Sequence, residues 1–268
     1  MPFKGRRNAT LQSERTAAPA SSICWLIGRG GQMIVQTHWR LALMFDMPGH
    51  DLAALAKALV RLGPALRSAA PGHHMRLGVA DRHADLGETA ARASGKGWAD
   101  VDGAIEVSVV NDRTHDIANI CRSLRPVMEE FCDAASVHVM AGPMFNMVPV
   151  KPGGTFLSLA FRRDPAINQA QFRGWWYNHH AGLAIPVLGE ALFAYDQVHV
   201  EQAVSGEAAQ AIGARHVEYD AYDNLTWKDR SGYLRSVSDP DKMGPLLADE
   251  IGSIDQTSRR SAIMSEIA

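Results

Sequence analysis

The chain of 268 residues repeats one order of strand-like and helix-like segments, and this repetition constrains the fold more than any single motif. In the first half, apolar residues alternate in four segments, which is typical of strands, and two amphipathic segments lie between them. The predicted strands are 39–45, 75–79, 105–109 and 137–147, and the predicted helices are 51–69 and 114–132. The order strand, helix, strand, strand, helix, strand is that of a split βαβ unit.

The second half shows the same order. Its predicted strands are 156–162, 194–200, 216–223 and 258–266, and its predicted helices are 168–180 and 227–255. The sequence therefore predicts an α+β fold of two tandem ferredoxin-like (β-α-β-β-α-β) units that form an α+β barrel within one chain. We expect a disordered leader at 1–32, a degenerate first unit at 33–150 and a second unit at 151–268.

The densest group of aromatic and titratable residues lies on the first helix of the second half. Asn168 and Gln171 have the spacing of a capping box, so a helix is expected to begin there. At about 100° per residue, one stripe of this helix is apolar and aromatic. The stripe contains Phe172, Trp175, Trp176, His179 and Leu183, with His180 at its margin.

These residues carry a resemblance to a known family. Phe172, Arg173, Trp176, His180 and Ala181, after a short strand and an Arg-Arg-Asp-Pro turn, resemble the EthD-type signature of the dimeric α+β barrel superfamily. Later features agree in order and spacing over residues 154–268. They are Tyr219-Asp220 on a strand, Trp227 opening a helical stretch, Asp249-Glu250, Asp255 and a closing strand with Glu266. The resemblance implies a site that involves His180.

Two pockets are candidates for the functional site. One lies between the sheet of the second half and its own first helix, where Trp176, His179 and His180 are expected to point. The other lies between the two sheets and would be lined by His199, His216, Glu218 and Asp220. The resemblance favours His180 as the central residue, whereas a regular helix would place His179 further inward.

A histidine beside large aromatic rings offers an acid or base near neutral pH in a pocket for an apolar ligand. We expect His180 or His179 to act with Asp220 as an orienting carboxylate, and Tyr177 to donate to a developing oxyanion. The expected substrate-binding residues are Trp176, Tyr177, His199, His216 and Glu218. The predicted function is a cofactor-independent lyase, isomerase or cyclase that acts on a small hydrophobic or aromatic metabolite.

Two alternatives stay open. The barrel can be a non-catalytic protein that binds a small molecule, or a haem-dependent dehydratase or peroxidase-like enzyme. The resemblance allows the second, because relatives in the superfamily carry haem on one axial histidine. No motif for a bound metal ion is present, since neither H-E-x-x-H nor H-x-H occurs.

Composition limits the classes of binding partner that we expect. A net charge of −2 and a pI near 6.6 give no electrostatic reason to expect nucleic acid or an anionic membrane. Cys24, Cys121 and Cys132 form no CxxC pair, which favours reduced thiols in a cytoplasm. No apolar run approaches the roughly 18 residues of a membrane span. Unpaired strand edges would favour a homodimer.

Overall fold

Eight antiparallel strands close into a barrel, in the order β1-β3-β2-β8-β5-β7-β6-β4. The computed structural model describes residues 38–82, 101–148 and 154–267, so the expected leader at 1–32 lies outside the described residues. The strands are β1 His38–Phe45, β2 His74–Ala80, β3 Gly103–Val110, β4 His138–Val148, β5 Thr155–Arg163, β6 Leu192–His199, β7 Ala221–Trp227 and β8 Ile254–Ile267.

Helices cover the outside of this barrel. They are α1 Leu52–Ala69, α2 Asp116–Met128, α3 Gln169–Trp175, α4 Ala181–Leu188, α5 Gln202–Ile212, α6 Arg230–Val237 and α7 Pro240–Asp249. A five-residue π-helical turn, Trp176–His180, joins α3 to α4. Single 3-10 turns lie at Pro48–His50, Asn111–Arg113, Ala134–Ser136 and Gly189–Ala191.

The second half differs from the sequence prediction most clearly in three places. The strand predicted at 216–223 begins only at Ala221, so Trp227 closes a strand instead of opening a helix. The single helix predicted at 227–255 is two helices, because the side chains of Asp229 and Asp239 each cap a new N-terminus. Helix α5 was not predicted, because its Ala-rich sequence has only a weak apolar stripe.

The strands separate two kinds of packing. Residues on the outer face of the barrel pack under the helices in two apolar clusters. One combines the first half of the chain with helix α5, and the other lies almost entirely in the second half. The inner face is partly apolar, with Met44, Met140, Phe156 and Met264 among its buried residues. The functional question is therefore which of the two faces carries the site.

A buried ionic network occupies part of the barrel interior. The guanidinium of Arg40 donates to Glu106 at 3.0 Å and to Asp196 at 2.9 Å. Tyr222 and Asn224 also donate to Glu106 from across the barrel. These contacts join β1, β3, β6 and β7, so they link strands from both halves of the chain.

Closure of the barrel also bears on the expected homodimer. Each strand has a hydrogen-bonded neighbour on both sides, so unpaired strand edges do not provide the dimer contact that we expected. The homodimer itself stays a prediction. Within the part of the chain that the structure describes, no helix is long and apolar enough to cross a membrane.

Candidate active site

The π-helical turn decides which of the two adjacent histidines faces the protein interior. The capping box of Asn168 and Gln171 starts α3 as predicted. The amide of Ala181 then bonds to the carbonyl of Trp176, five residues back, instead of four. The extra residue changes the direction in which the following side chains point, relative to a regular helix. His180 is therefore 6% exposed, whereas the side chain of His179 points outward and is 59% exposed. The regular wheel, which favoured His179 as the inward residue, was therefore wrong.

One carboxylate holds both histidines. Asp249 Oδ2 lies 2.9 Å from Nδ1 of His180, and its Oδ1 lies 2.8 Å from Nε2 of His179. The indole ring of Trp175 packs beside the His180 imidazole, with ring centroids 4.9 Å apart. Because a carboxylate accepts, Nδ1 of His180 carries a hydrogen, and in the neutral imidazole Nε2 then carries the lone pair.

Glu250 lies next to Asp249 and forms a second polar contact of the site. Its Oε1 is 4.0 Å from Nε2 of His180, and its Oε2 pairs with the guanidinium of Arg259 on β8. Two acidic residues at the C-terminal end of a helix oppose the helix dipole. The histidines and Arg259 compensate this cost, which is the kind of local conflict that functional sites contain.

His180 and Glu250 line an apolar cavity between the outer face of the barrel and helices α4, α6 and α7. Its volume is about 100 Å³. Most of its wall is aliphatic or aromatic, including Leu157, Leu159, Ala184, Leu188, Leu225, Trp227, Met243 and Leu246. An apolar protein cavity of roughly 150 Å³ binds benzene, so this one fits a small ligand or the end group of a larger one.

Asp223 and Tyr195 bring further polar groups to the cavity wall. Burial raises the pKa of the Asp223 carboxyl well above its usual range, and the charge of Glu250 raises it further. Arg259 and a hydrogen bond with Tyr195 oppose that rise in pKa. Burial also raises the pKa of the Tyr195 hydroxyl.

Three of the expected substrate-binding residues lie on the helix-covered face but outside the cavity wall. Trp176 is fully buried and stacks on His199, with ring centroids 5.0 Å apart. His199 also contacts Phe145, and Tyr177 packs edge-on against the same phenylalanine. Burial lowers the pKa of His199 to about 3, and neither of its ring nitrogens has a hydrogen-bond partner among the described residues. His199 therefore lies under the helices and not between sheets.

The other residues expected between the sheets lie outside the barrel strands. His216 and Glu218 belong to the irregular segment between α5 and β7, where Glu218 is exposed. Asp220 accepts a hydrogen bond from the amide of Arg163 at 3.0 Å and also contacts the guanidinium of that residue. The partner of His180 is accordingly Asp249, and the expected pairing with Asp220 was wrong.

Sequence reasoning did not select Asp223, Asp249, Glu250 or Arg259 as site residues. Asp249 and Glu250 contributed to the family resemblance, and an acidic pair at the end of an amphipathic helix was an available signal. Asp223 could be found from its outward position between apolar neighbours only once the register of β7 with β5 is known. Arg259 had no such signal.

The cavity does not fit haem, the cofactor of one alternative. A volume of about 100 Å³ is below the roughly 300 Å³ of the smaller ligand pockets of proteins. Among the described residues, no three His, Cys, Asp or Glu side chains cluster as metal ligands do.

Comparison with known proteins identifies the fold. No protein-family model matches the chain, and no curated protein is significantly similar to it in sequence. A protein from Fusobacterium nucleatum subsp. nucleatum, provisionally assigned as a monooxygenase, matches with a TM-score of 0.51 at 9% identity. The match covers 88% of this chain and 94% of that protein.

Two further structures are similar. An anthrone oxidase-like protein matches with a TM-score of 0.51 at 10% identity, over 87% of this chain and 92% of its own. A provisionally assigned chlorite dismutase matches with a TM-score of 0.47 at 10% identity, over 86% and 95% of the two chains. The chain thus shares its overall fold, an antiparallel barrel covered by helices, with the monooxygenase-assigned and anthrone oxidase-like structures.

Proposed function

We propose that this chain is a cofactor-independent enzyme that transfers a proton on a small hydrophobic molecule, as an isomerase, lyase or cyclase does. One observation carries the proposal. His180 lines an apolar cavity with Nδ1 fixed to Asp249, while its Nε2 lies 4.0 Å from Oε1 of Glu250, beyond hydrogen-bond distance. A neutral imidazole held in this tautomer is a general base whose lone pair faces the ligand.

The surroundings of His180 support this role. Trp175 restricts the ring on one side, and Asp249 fixes its orientation, so little reorganisation is needed when the base takes a proton. The negative charge of Asp249 stabilises the imidazolium that forms. The apolar wall excludes water, which strengthens these electrostatic interactions.

The proposal includes two further assignments, one for the organisation of the chain and one for the family of its second half. We propose that the two halves are tandem ferredoxin-like units, since the strand orders β4-β1-β3-β2 and β8-β5-β7-β6 repeat one pattern. We also propose that the second half is of EthD type. The inward position of His180 and its bond to the Asp249 side chain support this, because both residues belong to the resemblance.

The test is deuterium incorporation into small carbon acids. The purified protein is incubated in D2O with a panel of cyclic ketones, nitriles and nitroalkanes of five to seven heavy atoms, and proton NMR follows C–H exchange. We expect His180→Gln to slow the exchange by about 10²- to 10⁴-fold. His179→Gln is expected to cause a smaller loss, since this exposed ring contacts only the far oxygen of Asp249.

His115→Gln, at the exposed residue directly before α2, is the matched control and should leave exchange unchanged. If the protein accelerates C–H exchange in none of these compounds, the proposal is contradicted. Ligand binding without exchange would instead establish the binding-protein alternative. An oxygen electrode run on the same mixtures separates proton transfer from oxygenation, because proton transfer alone consumes no oxygen.

A further inference from the structure

One buried carboxyl in the cavity is not used by the proposed base. Asp223 projects from the middle of β7 into the cavity wall and is 5% exposed. Its Oδ1 has no hydrogen-bond partner among the described residues. A buried polar atom without a partner is costly, and the side chain that carries this one lines the cavity, so the Asp223 carboxyl is a candidate to bond to a ligand there.

The neighbours of Asp223 determine what kind of bond is missing. Gln197 donates to the hydroxyl oxygen of Tyr195 at 2.8 Å, which leaves the Tyr195 hydrogen available to the Asp223 carboxyl. Burial and the nearby charge of Glu250 both favour the protonated carboxyl, whose O–H is a donor. In that form the Asp223 carboxyl, which lines the cavity, can donate to an acceptor atom of a ligand.

We infer that Asp223 binds the carbonyl oxygen of the substrate, so the substrates of this site are small apolar ketones and aldehydes. This inference rests on the proposed function, because it names the substrate class of the same cavity. His180 and Asp223 both line that cavity, and they come from different layers, the helices and the sheet. A ligand between them meets a base on one side and an acid on the other.

The proton transfer then balances as an enolisation. Nε2 of His180 takes a proton from the carbon next to the carbonyl group, and the C–H electron pair becomes the C=C bond of the enol. The C=O π pair moves to oxygen, which takes the proton of Asp223. Return of the proton from His180 to the same carbon, and of the enol O–H proton to Asp223, restores the ketone and both side chains. In a β,γ-unsaturated ketone the enol is a dienol, and delivery of the His180 proton to its γ-carbon gives the α,β-unsaturated isomer instead.

Binding of two matched probes tests the inference without relying on turnover. Cyclopentanone has a carbonyl group, whereas methylenecyclopentane has nearly the same shape and no acceptor oxygen. We expect the wild-type protein to prefer cyclopentanone, and Asp223→Leu to weaken cyclopentanone binding by about tenfold or more. Binding of methylenecyclopentane should be unchanged or tighter in that variant.

Infrared spectroscopy supplies a readout that a structural role would not change. The carbonyl stretch of cyclopentanone should move to lower frequency in the wild-type complex, because a donor polarises the C=O bond. If Asp223→Leu fails to fold, Asp223→Asn replaces it. This amide retains a donor but gives no proton, so cyclopentanone binding should persist while deuterium exchange falls.

The outcomes distinguish a failure of the role of Asp223 from a failure of the proposed proton-transfer function. An unshifted carbonyl stretch, or equal affinity of the wild-type protein for both probes, overturns the role of Asp223. Exchange that persists in nitriles and nitroalkanes would then leave the proposed function intact. A shifted stretch with no exchange in any carbon acid would support Asp223 as the carbonyl-binding residue in a protein that does not catalyse.

Discussion

Asp249 Oδ2 lies 2.9 Å from Nδ1 of His180, although the two residues are 69 positions apart in the sequence. The contact connects the end of α7 to the π-helical turn, so a tertiary contact fixes the tautomer of the proposed base. The orientation of His180 therefore depends on how α7 packs against α4.

Replacement of Asp249 by asparagine tests that dependence. The amide removes the negative charge and can hold the imidazole in the wrong tautomer, so deuterium exchange should slow by about 10²- to 10⁴-fold. Asp241→Asn, at an exposed position on the same helix, is the matched control. The thermal midpoints of both variants show whether folding is intact. Normal exchange in folded Asp249→Asn would rule out the orienting role.

Stability should depend on pH through His199. The pKa of the folded-state imidazole is lowered to about 3, against 6.5 for an unperturbed histidine, because burial and then the charge of Arg173 disfavour the cation. Between these values the unfolded chain binds a proton that the folded chain does not. The stability associated with His199 is thus complete above about pH 6.5 and decreases as the pH falls towards 3.

Replacement of His199 by phenylalanine isolates this contribution. Phenylalanine preserves the aromatic contact with Trp176 and removes the titration. From pH 7 to pH 5, the wild-type protein should lose about 2 kcal/mol more unfolding free energy than the variant, as measured by urea denaturation. Equal losses would mean that His199 does not titrate differently in the two states.

The ion network inside the barrel predicts a second stability effect. Arg40→Met leaves Glu106 and Asp196 buried without their cation, and we expect a loss of about 3–5 kcal/mol in unfolding free energy. Arg61→Met removes an exposed pair with Glu130 and should cost less than about 1 kcal/mol. Urea midpoints at pH 7 compare the two. Similar costs for both variants would contradict the structural importance of the buried network.

Cys121 and Cys132 should resist alkylation in the folded protein. Burial raises the pKa of each thiol to about 12, so little reactive thiolate exists at pH 8. Iodoacetamide treatment followed by mass spectrometry should label both residues only after unfolding in urea. Rapid labelling of either cysteine in the native protein would show that this cysteine is accessible to solvent in the folded state.

The sequence predicted seven of the eight strands close to where the structure has them, because each strand has one apolar face and the period of two is unambiguous. Strand β7 was predicted too early in the sequence, because Tyr219 and Asp220 continue the alternation of apolar and polar residues although their backbone is irregular. The Asn168 capping box was correct because both partners are local. The pairing of His180 with Asp249 could not be predicted, since it depends on tertiary packing.

The choice between His179 and His180 shows a different limit. Helical phase was calculated from a regular repeat of 3.6 residues, and a single widened turn makes that phase wrong for every residue after it. Phe172 and Trp176 were correctly placed inward because they precede the change. The same calculation then assigned the inward position to the wrong histidine.

The π-helical turn holds one residue more than an α-helix would between Trp176 and Ala181. Removal of the exposed Asn178 would let this stretch close as an ordinary α-helix, with the amide of Ala181 still bonded to the carbonyl of Trp176. His180 would then keep its place on the cavity wall. In a comparison of related chains, the equivalent histidine is therefore expected three residues after the tryptophan where this helix is regular, and four residues after it where the turn is widened.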